Sequence, residues 1–323
     1  MPNIDMPLKE LKKYKGTNER PKDFSAYWAA ALSELDNQNM EFRLTQVDFH
    51  ADGVECYEMS FTGVGGTQLH AKFVKPINTG SPCPAILMFH GYHGNSGDWL
   101  DKVTYAKFGY VVAALDTRGQ GGLSDDTVAV KGAVLEGHIV KGLDDPDPHK
   151  LFYRNAFLDT AQLARIVMGI PYVDDKRVGA TGFSQGGALT LACASLEPRI
   201  KLACAGYPFL SDYRRVWEAM DISQSAYNEL SNYFRIRDPL HNREAEVFQK
   251  LGYIDLHNHA ERIRSTKVIM ITALSDTVCP PSTQYAIYNN LSCEKEMILY
   301  PDFGHEFLPS SGDIVFSAFT TQL

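Results

Sequence analysis

Between Arg177 and Ala194 a short apolar strand, Val178-Gly179-Ala180-Thr181, runs through Gly182-Phe183-Ser184-Gln185-Gly186-Gly187 straight into the helical run Ala188 to Ala194. A strand that becomes a helix with no loop between them leaves Ser184 in a strained conformation, and its neighbours must lack bulk. The Gly-x-Ser-x-Gly spacing meets that demand and holds the serine hydroxyl out as a nucleophile elbow. It also sets the N–H of Gln185 at the start of the new helix, aimed at negative charge that develops nearby. A glycine-lined turn that only packs a helix tightly on a sheet reads the same way, so the residues downstream decide.

Two of them stand where a catalytic serine needs them. After the apolar run Lys267 to Thr272 comes Ala273-Leu274-Ser275-Asp276, an acidic residue on a loop past a strand end. After Met297 to Tyr300 comes Pro301-Asp302-Phe303-Gly304-His305-Glu306, a histidine in the same kind of place. Ser184, Asp276 and His305 follow one another in the chain order of α/β-hydrolases. His305 is expected to take the serine proton, and Asp276 to hold the imidazole tautomer and stabilise the imidazolium. Read alone, Asp276 is a turn aspartate capping the helix that starts near Pro281. The second oxyanion donor is expected on the loop after Ala85 to Phe89, which reads His90-Gly91-Tyr92-His93-Gly94. The N–H of Tyr92 is assigned to it beside that of Gln185; otherwise His90-Gly91 is simply a tight turn.

The rest of the chain alternates in the matching rhythm. A helix over Asp23 to Leu35 is expected to lie over the sheet edge. The runs Phe42 to Phe49, Val54 to Thr62 and Leu69 to Lys75, separated by glycine-rich turns, predict an antiparallel meander at one edge. From Ala85 to Phe89 and Tyr110 to Leu115 onward the runs are continuously apolar, as parallel strands covered on both faces are. A helix from Tyr153 to Met168, strands at Leu202 to Ala205, Lys267 to Thr272 and Met297 to Tyr300, and helices at Ser282 to Leu291 and from Asp313 complete a doubly wound, mostly parallel α/β sheet. Two stretches break the rhythm. Residues 119–150, rich in Gly, Asp and His, read as an insertion near the site. Residues 211–264, polar, aromatic and helical, are expected to form a lid over the strand ends. The 323 residues are expected to form one catalytic domain with these embellishments, a length ordinary for α/β folds.

Composition bounds the partners. A net charge of −8 argues against nucleic acid or an anionic membrane as the main partner, since both need a basic face. There is no run of about eighteen apolar residues, hence no expected membrane span, and Met1 to Tyr14 lacks the apolar core of a secretory signal. Six scattered cysteines without C-x-x-C spacing read as free thiols in a reducing cytoplasm. The ten histidines show no zinc pattern; His257-Asn258-His259 is a tight pair without companions. No metal or organic cofactor is expected.

Arg118-Gly119-Gln120, the Ser184-Gln185-Gly186 elbow and His305-Glu306 together resemble the acetyl xylan esterase and cephalosporin C deacetylase family, carbohydrate esterase family 7. The likeness extends over nearly the whole chain, through Asp5 to Leu11, Pro21-Lys22-Asp23-Phe24, His90-Gly91-Tyr92, Tyr207-Pro208-Phe209-Leu210 and Asp276 to Thr283. It implies a cytoplasmic esterase that removes acetyl groups from small esters, acetylated xylo-oligosaccharides and cephalosporin C among them. It further implies a homohexamer of paired subunits whose active sites face an interior cavity. The resemblance carries the nucleophile to Ser184, the acid to Asp276, the base to His305 and the oxyanion amides to Tyr92 and Gln185. Tyr207 is similar to a residue lining the family's acyl pocket, although a strand-end tyrosine is as readily core. Arg118 and Gln120 read as scaffold, because a guanidinium just past a strand end suits loop carbonyls and carboxylates.

Phe183 departs from the family pattern, in which many relatives have a second glycine, and His93 to Gly97 also departs from it. Both bear on the pocket wall, whose depth is expected to be set by side chains of the insertion and the lid. Two other readings stay open: a different α/β-hydrolase chemistry, such as peptidase, thioesterase or longer-chain esterase, and a noncatalytic carbohydrate-binding protein on this fold.

Overall fold

The computed structural model describes residues 4–78, 82–131 and 136–323. Among them nine strands form one sheet in the order β1-β2-β3-β5-β4-β6-β7-β8-β9. The antiparallel edge is β1 (Phe42–Gln46), β2 (Val54–Thr62) and β3 (Gln68–Pro76), and β3 also runs antiparallel to β5 (Val111–Asp116). The parallel part comprises β4 (Cys83–Phe89) beside β5, then β6 (Val173–Phe183), β7 (Leu202–Gly206), β8 (Lys267–Ala273) and β9 (Lys295–Tyr300). The first strand stops at Gln46, short of the expected Phe49, whose ring leaves the ladder to stack on Trp99 with centroids 6.0 Å apart.

Among the described residues eleven α-helices dress the sheet: α1 (Leu8–Leu11), α2 (Phe24–Asp36), α3 (Trp99–Lys107), α4 (Phe152–Met168), α5 (Gln185–Leu196), α6 (Tyr213–Ala219), α7 (Asn228–Arg237), α8 (Glu244–Leu251), α9 (Leu256–His259), α10 (Pro281–Asn290) and α11 (Ser311–Gln322). Because successive strand residues point to opposite faces, the continuous apolar runs divide between two cores. Ile86, Val112, Cys204, Ile269 and Ile271 cluster with Val315 and Phe319 of α11, and Tyr105 of α3 packs against them. Leu87, Val111, Ala113, Ala180 and Ala203 cluster with α4, α5 and Ile287 of α10.

Helix α2 does not lie over the sheet edge as expected. Its aromatic face is drawn onto the outside of α4, where Trp28 stacks on Phe157 at 6.2 Å and donates its indole N–H to Tyr253 O at 2.9 Å. Residues 211–264 carry α6 to α9 and are fastened to the acidic end of the insertion. Asp144 accepts from the Tyr233 hydroxyl at 2.8 Å and from Arg243 at 3.0 Å, and Lys250 donates to Leu143 O and Asp145 O, each at 3.0 Å. That acidic run is therefore an anchor for the helical segment.

Candidate active site

At the carboxyl end of β6, Ser184 holds φ 57° and ψ −121°, the left-handed region that a serine occupies only when its surroundings enforce it. Its N–H donates to Gly206 O at 2.9 Å, and its carbonyl accepts from Ala188 N at 3.0 Å and Phe209 N at 3.1 Å. A methyl on Gly182 would lie 2.5 Å from Phe89 O, and one on Gly186 would meet the same carbonyl, so both glycines are required by close approach of β4. Phe183 is accommodated by the residue paired with it across β6 and β7: Gly206 has no Cβ, and one would run into the Phe183 ring. Gly206→Ala is therefore expected to lower stability by about 1–3 kcal/mol through overpacking, read as a lower urea midpoint.

Asp276 is fully buried and uses its two oxygens differently. Oδ1 accepts the N–H groups of Val278 at 2.8 Å and Cys279 at 2.7 Å, while Oδ2 faces His305 Nδ1 at 2.9 Å. Oδ1 thus closes the turn before α10 without capping that helix, whose N-terminus has no side-chain cap, and Oδ2 is left to the histidine. The bond at Nδ1 fixes the imidazole and leaves Nε2 as its other nitrogen. Tyr207 lies against the His305 ring with centroids 4.7 Å apart and donates its hydroxyl to Glu306 O at 3.2 Å. Ser184, His305, Phe183 and Tyr207 line one cavity of about 510 Å³, together with Met88, Lys102, Tyr105 and Val315. Among the described residues, none of its walls comes from 119–150 or 211–264, contrary to the expectation for pocket depth. The cavity opens on the α3 and α11 side of the sheet, whereas α7 packs into the core on the α4 and α5 side.

The expected oxyanion residues sit on two loops that one side chain joins. As the first residue of α5, Gln185 has an N–H with no intrahelical acceptor. Tyr92 stands at the corner of a turn closed by Gly94 N and Gly91 O at 3.0 Å. Gln120 accepts from His93 N at 3.0 Å and exchanges amide hydrogen bonds of 2.8 and 2.9 Å with the Gln185 side chain, so it ties the two loops together. Tyr153 adds a hydroxyl donated to Gln185 Oε1 at 2.8 Å. The next turn outward is held by His90, whose Nε2 accepts Thr117 N–H at 2.9 Å while Nδ1 faces Gly91 O at 2.7 Å. That pattern requires the neutral ring protonated at Nδ1, and burial lowers the pKa of His90 in the same sense. Arg118 is fully buried and grips Asp159 of α4 with two bonds of 2.6 Å, with a third to Val64 O at 3.2 Å. Sequence reasoning placed Arg118 and Gln120 as scaffold but missed Tyr153 and Asp159. The signal for Asp159 was the one carboxylate in the helical run Phe152–Met168.

Among the described residues, one group of His, Cys and acidic side chains is close enough to share a metal ion. It consists of Asp276, Cys279 and His305, with ligand atoms all within 4.8 Å of one another. The Asp276 and His305 atoms are engaged with each other, and burial, then the Asp276 charge, holds the Cys279 thiol well above its ordinary pKa, so it stays protonated and is a poor ligand. The His257 and His259 rings turn to separate partners. His257 Nδ1 meets Asp255 at 2.7 Å, whereas His259 contacts Ser195 Oγ at 3.0 Å and Tyr253 O at 3.1 Å. Cys56, Cys193, Cys204, Cys279 and Cys293 are free thiols, four of them buried. No described helix is long and apolar enough to cross a membrane.

Comparison with known proteins agrees with this fold. A solved acetyl xylan esterase from Thermoanaerobacterium sp. is 50% identical, superposes with a TM-score of 0.94 and covers 98% of each chain. A second, from a Paenibacillus species, is 34% identical at a TM-score of 0.93, covering 98% of this chain and 100% of that one. A curated acetyl esterase of Xylanibacter ruminicola is 26% identical over 88% of this chain, which spans 63% of that relative's length. The acetyl xylan esterase family profile matches residues 1–322, and the chain belongs to that family, a carboxylic ester hydrolase on an α/β-hydrolase fold.

Proposed function

We propose that this chain is a serine esterase that removes acetyl groups from acetylated xylo-oligosaccharides and related small esters such as cephalosporin C. The observation that carries the reading is the strained Ser184 opening onto the same cavity as His305, itself held by buried Asp276 at 2.9 Å. Ser184 Oγ attacks the acetyl carbonyl as His305 Nε2 takes its proton. The N–H groups of Tyr92 and Gln185 receive the oxyanion. His305 returns the proton to the departing sugar hydroxyl, then activates a water that releases acetate and frees the serine. Tyr207, packed on His305 at the cavity wall, contacts the substrate. No metal or cofactor enters these steps. Family likeness supports a single catalytic domain working as a homohexamer, and the free buried thiols of Cys56, Cys193, Cys204 and Cys279 suit a cytoplasmic location.

The test is acetate release from acetylated xylo-oligosaccharides and cephalosporin C beside butyryl, peptide and thioester substrates. Preferential release of acetate is expected, and cleavage of the longer esters, peptides or thioesters alone would discard the substrate while keeping the triad.

A further inference from the structure

Glu229, in the first turn of α7, is buried, 8% exposed, and no cation pairs with it among the described residues. A carboxylate so placed is expensive to bury unless several donors serve it. The donors come from two separate segments. The Tyr92 hydroxyl, on the turn after β4, donates to Oε1. From the insertion, Ile139 N at 2.7 Å and Val140 N at 3.4 Å donate to Oε2. The triangle is closed by His138 N, which donates to the Tyr92 oxygen at 2.9 Å. Gly137 beside it holds φ 111°, and a Cβ there would run into the Glu229 carboxyl group. Stacking completes the cluster: the Tyr92 ring lies on His93 at 4.0 Å, and His138 lies on Phe152 at 4.4 Å. The turn after β4, the insertion and α7 thus meet at one carboxylate. Its pKa is raised to about 7 because burial outweighs those donors.

We infer that Glu229 is a positioning residue for the oxyanion hole, acting through the Tyr92 hydroxyl to fix the backbone N–H of Tyr92. The inference rests on the esterase reading above. An amide donor that stabilises a transition state must be held within a fraction of an ångström of its working position. Gln120 holds the turn through His93 N, and Glu229 holds the Tyr92 side chain. Loosening that hold weakens a contact made only in the transition state, so the loss falls on kcat and not on KM.

The test measures kcat and KM for an acetyl ester in the wild type, Tyr92→Phe, Glu229→Ala, Glu229→Gln and the double variant Tyr92→Phe/Glu229→Ala, with circular dichroism and melting curves on each. Tyr92→Phe and Glu229→Ala are each expected to lower kcat about tenfold or more with KM held within about twofold, less than the loss of the whole donor. The double variant is expected to be no worse than the poorer single one, because both break one link. Glu229→Gln, which can still accept from Ile139 and donate to the Tyr92 oxygen, is expected to recover kcat to within about threefold of wild type. Wild-type kcat in folded Tyr92→Phe, effects that multiply in the double variant, or a loss confined to KM would overturn the inference. Should Glu229→Ala fail to fold, Tyr92→Phe, which deletes a single oxygen atom, decides the matter. An inactive wild type would instead overturn the esterase reading, a result distinct from any of these.

Discussion

Ser184→Ala is expected to retain the fold and lose about four orders of magnitude or more in kcat on acetyl esters, the scale seen when a triad nucleophile is removed. The side chain can be shortened safely because the elbow is held by its backbone: Ser184 N bonds Gly206 O, and Ser184 O bonds both Ala188 N and Phe209 N. None of those bonds uses the hydroxyl. The strained φ of 57° is no worse for alanine than for serine, since both carry a Cβ. A melting temperature near wild type with acetate release at background is the expected pair of results. Near wild-type turnover would show that the nucleophile lies elsewhere and would undo the mechanism.

The second large effect concerns stability. Asp159→Ala is expected to destabilise the protein by about 3–5 kcal/mol, the range for breaking one partner out of a buried ion pair. The Arg118 guanidinium is 0% exposed and has Asp159 as its two-bond partner, with Asp126 at 3.7 Å as the next acid. Without Asp159 it keeps its charge, because a guanidinium does not release its proton in a folded protein. A packed apolar pair, as in Arg118→Met/Asp159→Leu, is expected to restore part of the loss, since two buried charges are then no longer desolvated. Urea midpoints for the single and double variants measure both, and a wild-type midpoint for Asp159→Ala would show that the pair contributes little. Activity is expected to fall with stability in the single variant, because Arg118 sits two residues before Gln120, which joins the oxyanion loops.

The two effects are legible in the sequence to different degrees. The elbow could be read because its constraint is local: a strand that meets a helix without a loop dictates glycines at Gly182 and Gly186 within a few residues. The parallel core could be read because strands buried on both faces must be continuously apolar. The antiparallel edge is legible from its turns; β3 extends one residue beyond the expected run at each end, and β1 stops three residues early, where Phe49 stacks on Trp99. Asp276 and His305 followed from chain order, since loops past strand ends converge in this topology.

What local pattern cannot reveal is which distant polar groups meet. Asp159 lies 41 residues from Arg118, and Glu229 lies 137 residues from Tyr92; no periodicity links either pair. The expected placement of α2 and of the pocket walls failed for the same reason. An amphipathic helix declares that it has an apolar face but not against what, and only three-dimensional packing chose α4 over the sheet edge. By itself the sequence determined the layer order and marked the candidate reacting residues. The tertiary structure decided which buried charges and hydrogen bonds hold them, because those bonds depend on distance in space, and folding alone sets that.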